Sequence, residues 1–272
     1  MKVAKKTNVS KDGSPEQLRT GTQSLSKGVH LLRMVAMRPQ FGWRLSDLAV
    51  ACNQGRATVH RMLACLVEER LVEQRQSDRH YLPGPLMYEL GLARTEDIGF
   101  HARAEVIVKQ FAKRMAGIAR LQLRSGDEYV CSIREGHLKL TGDMVEVGVR
   151  RPLCTSAAGL AIVQTLPIEQ AEGIYRRNLV QETLRLGPKR LRALQTLWEC
   201  SYRHGFGVNF GFLVPGSYAF AVPVKNSAGD AMAAICLVGT PDLYGEDQLT
   251  DLRHELEATA SLLTAEARRL IL

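Results

Sequence analysis

The sequence predicts an α+β protein of two domains: three short helices and a β-hairpin, then a larger domain of helices and strands around an antiparallel sheet. Three observations carry that prediction. Apolar residues recur at helical spacing from Leu25 to Leu71, change to extended alternation from Val72 to Leu82, and mix both patterns beyond residue 98. The basic excess is confined to the first third, where residues 1–95 carry 15 Lys and Arg against 8 Asp and Glu; the remaining 177 residues carry 21 against 20. The length of 272 residues, 45% of them hydrophobic, is enough for two cores without metals or disulfides.

Residues 1–22 are rich in Lys, Thr, Ser and Gly and hold almost no large apolar side chain, which predicts a disordered tail. Leu25, Val29, Leu32 and Val35/Ala36 then write a first helix, ended by Pro39 and Gly42. Leu45, Leu48, Ala49 and Cys52 write a second, with Ser46 placed to cap its start. After the Asn53-Gln54-Gly55 turn, Val59, Met62, Leu63, Leu66 and Val67 form the most regular apolar stripe in the chain. The opposite side of that third helix presents Arg56, Ala57, His60, Arg61 and Ala64. Val72–Arg75 and His80–Leu82 flank Gln76–Arg79 as a hairpin, and Leu86–Glu96 resumes as a helix fit to link two domains. Beyond it, helices are expected at 102–116, 156–165, 168–177, 188–204 and 246–270. Strands are expected at 119–124, 128–134, 143–148, 217–225 and 231–239. The expected domains are therefore a tail at 1–22, a winged helix-turn-helix at 23–83, a linker helix at 84–97 and a second domain at 98–272.

Three helices and a hairpin in this order are the parts of a winged helix-turn-helix. A helix that enters the DNA major groove must be apolar behind and polar in front, with its N-terminal half toward the bases. The third helix has that construction. Arg56, Ala57, His60 and Arg61 are candidates for base contacts, Thr58 for a phosphate, and Arg75 and Arg79 at the hairpin turn for the flanking backbone or minor groove. His60 reads equally as a surface histidine with no partner.

Other classes find little support. Gly205-Phe206-Gly207-Val208-Asn209-Phe210-Gly211 is one residue too long for a dinucleotide fingerprint and follows a helix, not a strand. There is no G-x-S-x-G elbow, P-loop or H-E-x-x-H motif, so no enzyme is expected; a small-molecule-binding enzyme or a scaffold protein without DNA binding is the alternative. Cys52, Cys65, Cys131, Cys154, Cys200 and Cys236 are scattered, without a C-x-x-C pair, and read as reduced thiols; neither metal nor cofactor is expected. Met1–Ser10 has lysines but no apolar run behind them, and no stretch approaches the roughly 18 apolar residues of a membrane span, so a cytoplasmic location is expected.

At this point a family resemblance emerges. Ser24–Val29 through Arg44–Ala49, and Thr58–Glu73, resemble the N-terminal domain of the isocitrate lyase regulator (IclR) family. Arg151–Ala161 resembles the loop-to-helix segment of its effector domain, and Gly205–Asn209 with Pro215–Val224 its C-terminal half. The resemblance spans about residues 24–265. It implies a DNA-binding domain, a linker helix and a GAF-like effector domain, acting on near-palindromic operators as a homodimer or dimer of dimers under the control of a small metabolite.

The effector segment departs from the family pattern. Where the family has an acidic run, this chain reads Asn209-Phe210-Gly211-Phe212-Leu213-Val214; a pocket Cys reads Ala219, a pocket Ser reads Cys236, and a frequent His reads Cys154. Phe210 and Phe212 either pack the sheet or line a pocket less polar than usual. The second reading predicts an aromatic or partly apolar acid as effector, and hence control of aromatic catabolism. Thr155, Ser156, Asn209 and Cys236 would be the polar groups, and Arg150 or Arg151 would meet a carboxylate.

Overall fold

The computed structural model describes residues 22–140, 142 and 145–270. The expected tail lies outside the described residues except for Thr22. The chain divides into two compact units with the boundary between Leu86 and Met87.

The first unit contains α1 (Gln23–Ala36), α2 (Leu45–Ala51), α3 (Arg56–Glu68), β1 (Val72–Gln74) and β2 (Tyr81–Pro83). Its core is Leu31, Val35, Trp43, Leu48, Val59, Leu63, Val72 and Tyr81. Val59 and Leu63, one turn apart, are the buried pair of α3; Met62 and Leu66 pack beside them, and Val67 at the expected end of the stripe is exposed. The stripe expected on α1 is also shifted. Leu25 is 69% exposed and Val29 is exposed, because only the C-terminal half of α1, through Leu31 and Val35, packs on the rest of the unit. Ser46 does not cap α2: the helix starts after Arg44, and the Ser46 hydroxyl donates to the Asp47 carboxylate at 3.1 Å. Trp43 exchanges backbone hydrogen bonds with Tyr81 at 3.0 and 2.8 Å, which adds a one-residue bridge to the hairpin. The preceding Gly42 has φ +72°, and a Cβ there would lie 2.9 Å from that of His80, so only glycine brings the chain in this close.

The helix expected over Leu86–Glu96 ends early, as α4 (Pro85–Gly91), and the one expected at 102–116 starts early, as α5 (Thr95–Met115). The amides of Ala93 and Arg94 bond the carbonyls three residues back, Leu90 and Gly91, so the helix tightens and stops. Arg94 leaves helical geometry (φ −113°, ψ 61°) and pairs with Asp97 across the first turn of α5.

The second unit is one six-stranded antiparallel sheet with helices on both faces. Its strands are β3 (Ile118–Ser125), β4 (Glu128–Glu135), β5 (Arg150–Pro152), β6 (Gly207–Phe210), β7 (Tyr218–Lys225) and β8 (Ala231–Gly239), in the order β5-β4-β3-β8-β7-β6. The helices are α6 (Ala157–Val163), α7 (Ile168–Leu186), α8 (Lys189–His204) and α9 (Leu249–Ala267). Helices α5 and α9 cover one face through Phe111, Leu121, Phe220, Ile235 and Leu256; α6 covers the other through Leu153, Leu160, Ala221 and Cys236. A Cβ on Gly159 would sit 1.8 Å from the Leu153 carbonyl oxygen, so a glycine is what lets the Leu153–Thr155 turn fold back over α6.

Two expectations change here. Of the strand placed at 143–148, residues 143 and 144 lie outside the described residues, and 145–148 form a loop and turn, with Gly148 at φ +85°. The edge strand begins only at Arg150. Gly207–Phe210, read from the sequence only as part of a motif, is the other edge strand, paired with β7.

Candidate nucleic-acid interface and small-molecule site

On α3, burial of Val59 and Leu63 turns Arg56, Ala57, His60 and Arg61 outward; all four are exposed, and Thr58 is half-buried. Gly55 precedes the helix without a side-chain cap, so the first-turn amides lie beside the same exposed residues. The predicted α3 residues therefore share one end of one helix, as a groove-reading surface requires.

The hairpin residues separate. Arg75 is committed within the domain. Its guanidinium bonds both Asp78 carboxylate oxygens, at 3.0 and 2.8 Å, and the Gln40 and Phe41 carbonyls at 3.3 and 2.9 Å. The structure thus gives Arg75 the work of pinning the turn to the Gln40–Phe41 loop. Asp78 is held well below the usual carboxylate range, first by the hydrogen bond from Arg75 and further by the His80 amide. Arg79 has its side chain exposed on a left-handed residue (φ +60°), fixed by its own amide on the Arg75 carbonyl at 2.9 Å and by Gln74 on its carbonyl at 3.0 Å. Of the two arginines expected at the tip, Arg79 is the one presented. Phe41, 75% exposed on the loop that Arg75 pins, was not singled out by the sequence reading.

In the second unit, strand alternation decides which predicted residues meet. Asn209 and Ala219 are cross-strand partners, and Ala221 pairs with Cys236, so all four share the face under α6. Cys154, Thr155 and Ser156 cover that face. Cys154 donates its amide to Asn178 at 3.0 Å, Thr155 bonds the Pro152 carbonyl at 2.7 Å, and the Ser156 hydroxyl caps α6 by accepting from the Gly159 amide at 2.9 Å. Burial pushes the Cys154 thiol up to about 12, helped by the nearby Asp127 charge. Asn209 accepts the Phe212 amide at 3.0 Å, which fixes the start of the loop after β6.

Two predicted residues fall elsewhere. Phe210, next in the strand to Asn209, points to the opposite face and packs with Phe212, Tyr218 and Phe220 on the α5–α9 side. Phe212 touches both layers. Arg150 pairs with Glu128 at 3.3 Å, whereas Arg151 is the cross-strand partner of Tyr129 and shares its face.

Three residues on that face were not foreseen: Arg120 and Gln122 of β3 and Tyr129 of β4. Arg120 is 4% exposed and Gln122 is 2% exposed, both within the sheet. Burial pushes the Tyr129 phenol up to about 12, opposed by the Arg151 charge, the Ser156 hydroxyl and the Arg120 charge beside it. The only sequence signal is Arg120 and Gln122 alternating with Ala119, Leu121 and Leu123, which has the same form as a strand with one wet face. Helix α6, laid over that face from elsewhere in the chain, separates the two cases.

A helix-turn-helix with a hairpin wing, followed by an antiparallel sheet domain holding a buried polar face, defines a two-domain DNA-binding transcription regulator. Residues 24–76 match the IclR helix-turn-helix domain. The probable transcriptional regulator SauR of Cupriavidus necator is 26% identical over 225 residues, covering 79% of this chain and 86% of that protein. The crystal structure of an IclR transcriptional regulator from Alicyclobacillus acidocaldarius superposes with a TM-score of 0.65 at 22% identity, covering 90% of this chain and 98% of that one. An IclR homologue from Microbacterium hydrocarbonoxydans, solved in complex with 4-hydroxybenzoate, superposes with a TM-score of 0.64 at 20% identity, covering 90% and 99%. The chain thus carries an IclR-type helix-turn-helix domain at residues 24–76 and is similar over most of its length to transcription regulators. Among the described residues no helix is long and apolar enough to cross a membrane.

Proposed function

We propose that the protein regulates transcription as a homodimer, or a dimer of dimers, on a near-palindromic operator, and that a small organic acid bound on the α6 face of the sheet controls it. The observation that carries the DNA half is α3, buried through Val59 and Leu63 and open through Arg56, Ala57, His60 and Arg61. One such helix reads too few base pairs for specificity, and a two-fold pair doubles the contact. We assign 23–83 to DNA binding, 84–97 to the connection and 98–272 to effector binding. Arg79 would reach the backbone or minor groove beside the groove read by α3.

The effector half rests on Cys154, Thr155, Ser156, Asn209, Ala219 and Cys236, which enclose one sheet face lined with small side chains. The complex of a fold relative with 4-hydroxybenzoate supports an aromatic acid, and with it control of aromatic catabolism. The test is DNase footprinting of the full chain on the region upstream of its own gene and of neighbouring genes, with and without 4-hydroxybenzoate. A two-half-site footprint altered by the acid is expected. A protein that protects no sequence in any of these regions overturns the regulator reading.

A further inference from the structure

The β6 edge of the sheet holds a second cleft, on the side away from α6. Helix α8 forms one wall with Thr196, Glu199, Cys200 and Arg203, spaced i, i+3, i+4 and i+7 along a single helix face. Opposite stand Phe210 and its cross-strand partner Tyr218, with Phe212 from the loop after β6. The rings meet at steep angles: Phe210 lies 5.2 Å from Tyr218 at 75° and 6.4 Å from Phe212 at 87°. Glu246, from the turn before α9, closes the cleft, whose volume of about 500 Å³ suits a small molecule.

The charges along this cleft are held apart. Glu199 and Arg203 are four residues apart, the spacing at which opposite charges pair on a helix. Instead the Glu199 carboxylate accepts from Gln195 Nε2 at 2.9 Å, one turn the other way, and Arg203 has no carboxylate partner among the described residues. Between them the Cys200 thiol, raised by burial, is pulled down by the Arg203 charge and pushed up by Glu246, so both charges act on the same wall. Aromatic rings beside carboxylates hold a methylated ammonium group, a cation shed of water at little cost. An open guanidinium takes a carboxylate. A ligand with only one of these charges leaves a like charge opposed to it in the cleft, whereas a ligand with both matches every group.

We propose that this cleft is a second small-molecule site, and that it takes a betaine. Its methylated ammonium would lie against Phe210, Phe212 and Tyr218 beside Glu199 and Glu246, and its carboxylate would meet Arg203. The site is independent of the α6 face and stands whether or not that face binds an acid.

Calorimetry on the full chain tests this with glycine betaine, 4-trimethylammoniobutanoate and choline, each against the isostere in which carbon replaces the ammonium nitrogen. At least one betaine is expected to bind about tenfold more tightly than its isostere, as a desolvated cation–π contact requires. Tyr218→Leu should erase that preference, and Tyr218→Phe should keep it. Phe212→Leu, in the loop, serves the same purpose if Tyr218→Leu does not fold by circular dichroism. Glu199→Gln should weaken betaine and choline alike. Arg203→Gln should weaken the betaines about tenfold and leave choline no weaker. The site is overturned if none of the three binds, if the isosteres bind equally well, or if the folded Leu variants keep the preference. Betaines no tighter than choline, or unchanged by Arg203→Gln, overturn the carboxylate contact and with it the betaine class.

Discussion

Arg75 and Asp78 close the turn of the hairpin through two hydrogen bonds of 3.0 and 2.8 Å, and the same guanidinium reaches 34 residues back to the Phe41 carbonyl at 2.9 Å. One side chain thereby sets the shape of the wing and ties it to the loop before α2. Asp78→Asn should weaken that closure, speed exchange of the Arg79 amide and lower operator affinity several-fold, with helix content unchanged by circular dichroism. Because the folded Asp78 pKa is depressed, its contribution is complete above the ordinary carboxylate pKa near 4 and is lost as pH falls further. The protection factor of the Arg79 amide, its exchange rate relative to the intrinsic rate at each pH, should therefore be steady from pH 5 to 8 and fall only in acid.

Arg56→Ala and Arg61→Ala should each weaken operator binding without altering subunit association or acid binding. If the side chain meets a phosphate, the slope of log affinity against log salt drops by about one; if it meets a guanine, the slope holds and discrimination falls by about 1–3 kcal/mol. Fluorescence anisotropy at several salt concentrations distinguishes the outcomes.

Ser156 carries the N-terminus of α6, accepting the Gly159 amide at 2.9 Å. Ser156→Ala should cost about 1 kcal/mol of stability, read from the urea midpoint at constant slope. Ser156→Asp restores the acceptor and should recover much of that loss unless the added charge disturbs Tyr129.

Tyr129 and Tyr244 are both pushed up to about 12, chiefly by burial, and Tyr244 also donates to the Met115 carbonyl at 2.6 Å. Their folded pKa values exceed the ordinary value near 10, so stability is unaffected below pH 10 and is lost as pH rises from 10 to 12. Tyr129, fully enclosed, should contribute on the order of 2–3 kcal/mol to that loss, by 1.36 kcal/mol per pKa unit, and Tyr244, closer to solvent, less. Tyr129→Phe should flatten the alkaline branch of the stability curve in denaturant titrations.

Among the six free cysteines, Cys65 is exposed and Cys154 is buried with a raised pKa. A water-soluble disulfide reagent at pH 8 should modify Cys65 first, and Cys154 only on unfolding. Mass mapping of the labelled peptides reads the order directly.

The sequence by itself determined the succession of elements, the amphipathic α3 and the hairpin after it, because these follow from backbone repeats of 3.6 and 2 residues acting over a few turns. It also placed Ala219 and Cys236 in strands, whereas Asn209 stood only within a glycine-rich motif. Tertiary structure decided which face each residue serves. Phe210 and Arg150 fall on the opposite side from Asn209 and Arg151, since one step along a strand reverses a side chain and only pairing fixes the register. Arg75 reads as a free cation until Asp78 and the Phe41 carbonyl, one near and one far in sequence, converge on it. Arg120 and Gln122 read as the wet side of a strand until α6, assembled some 40 residues later, covers them. Periodicity is local, but burial is set by what arrives from elsewhere in the chain, and burial gives these two residues their chemistry.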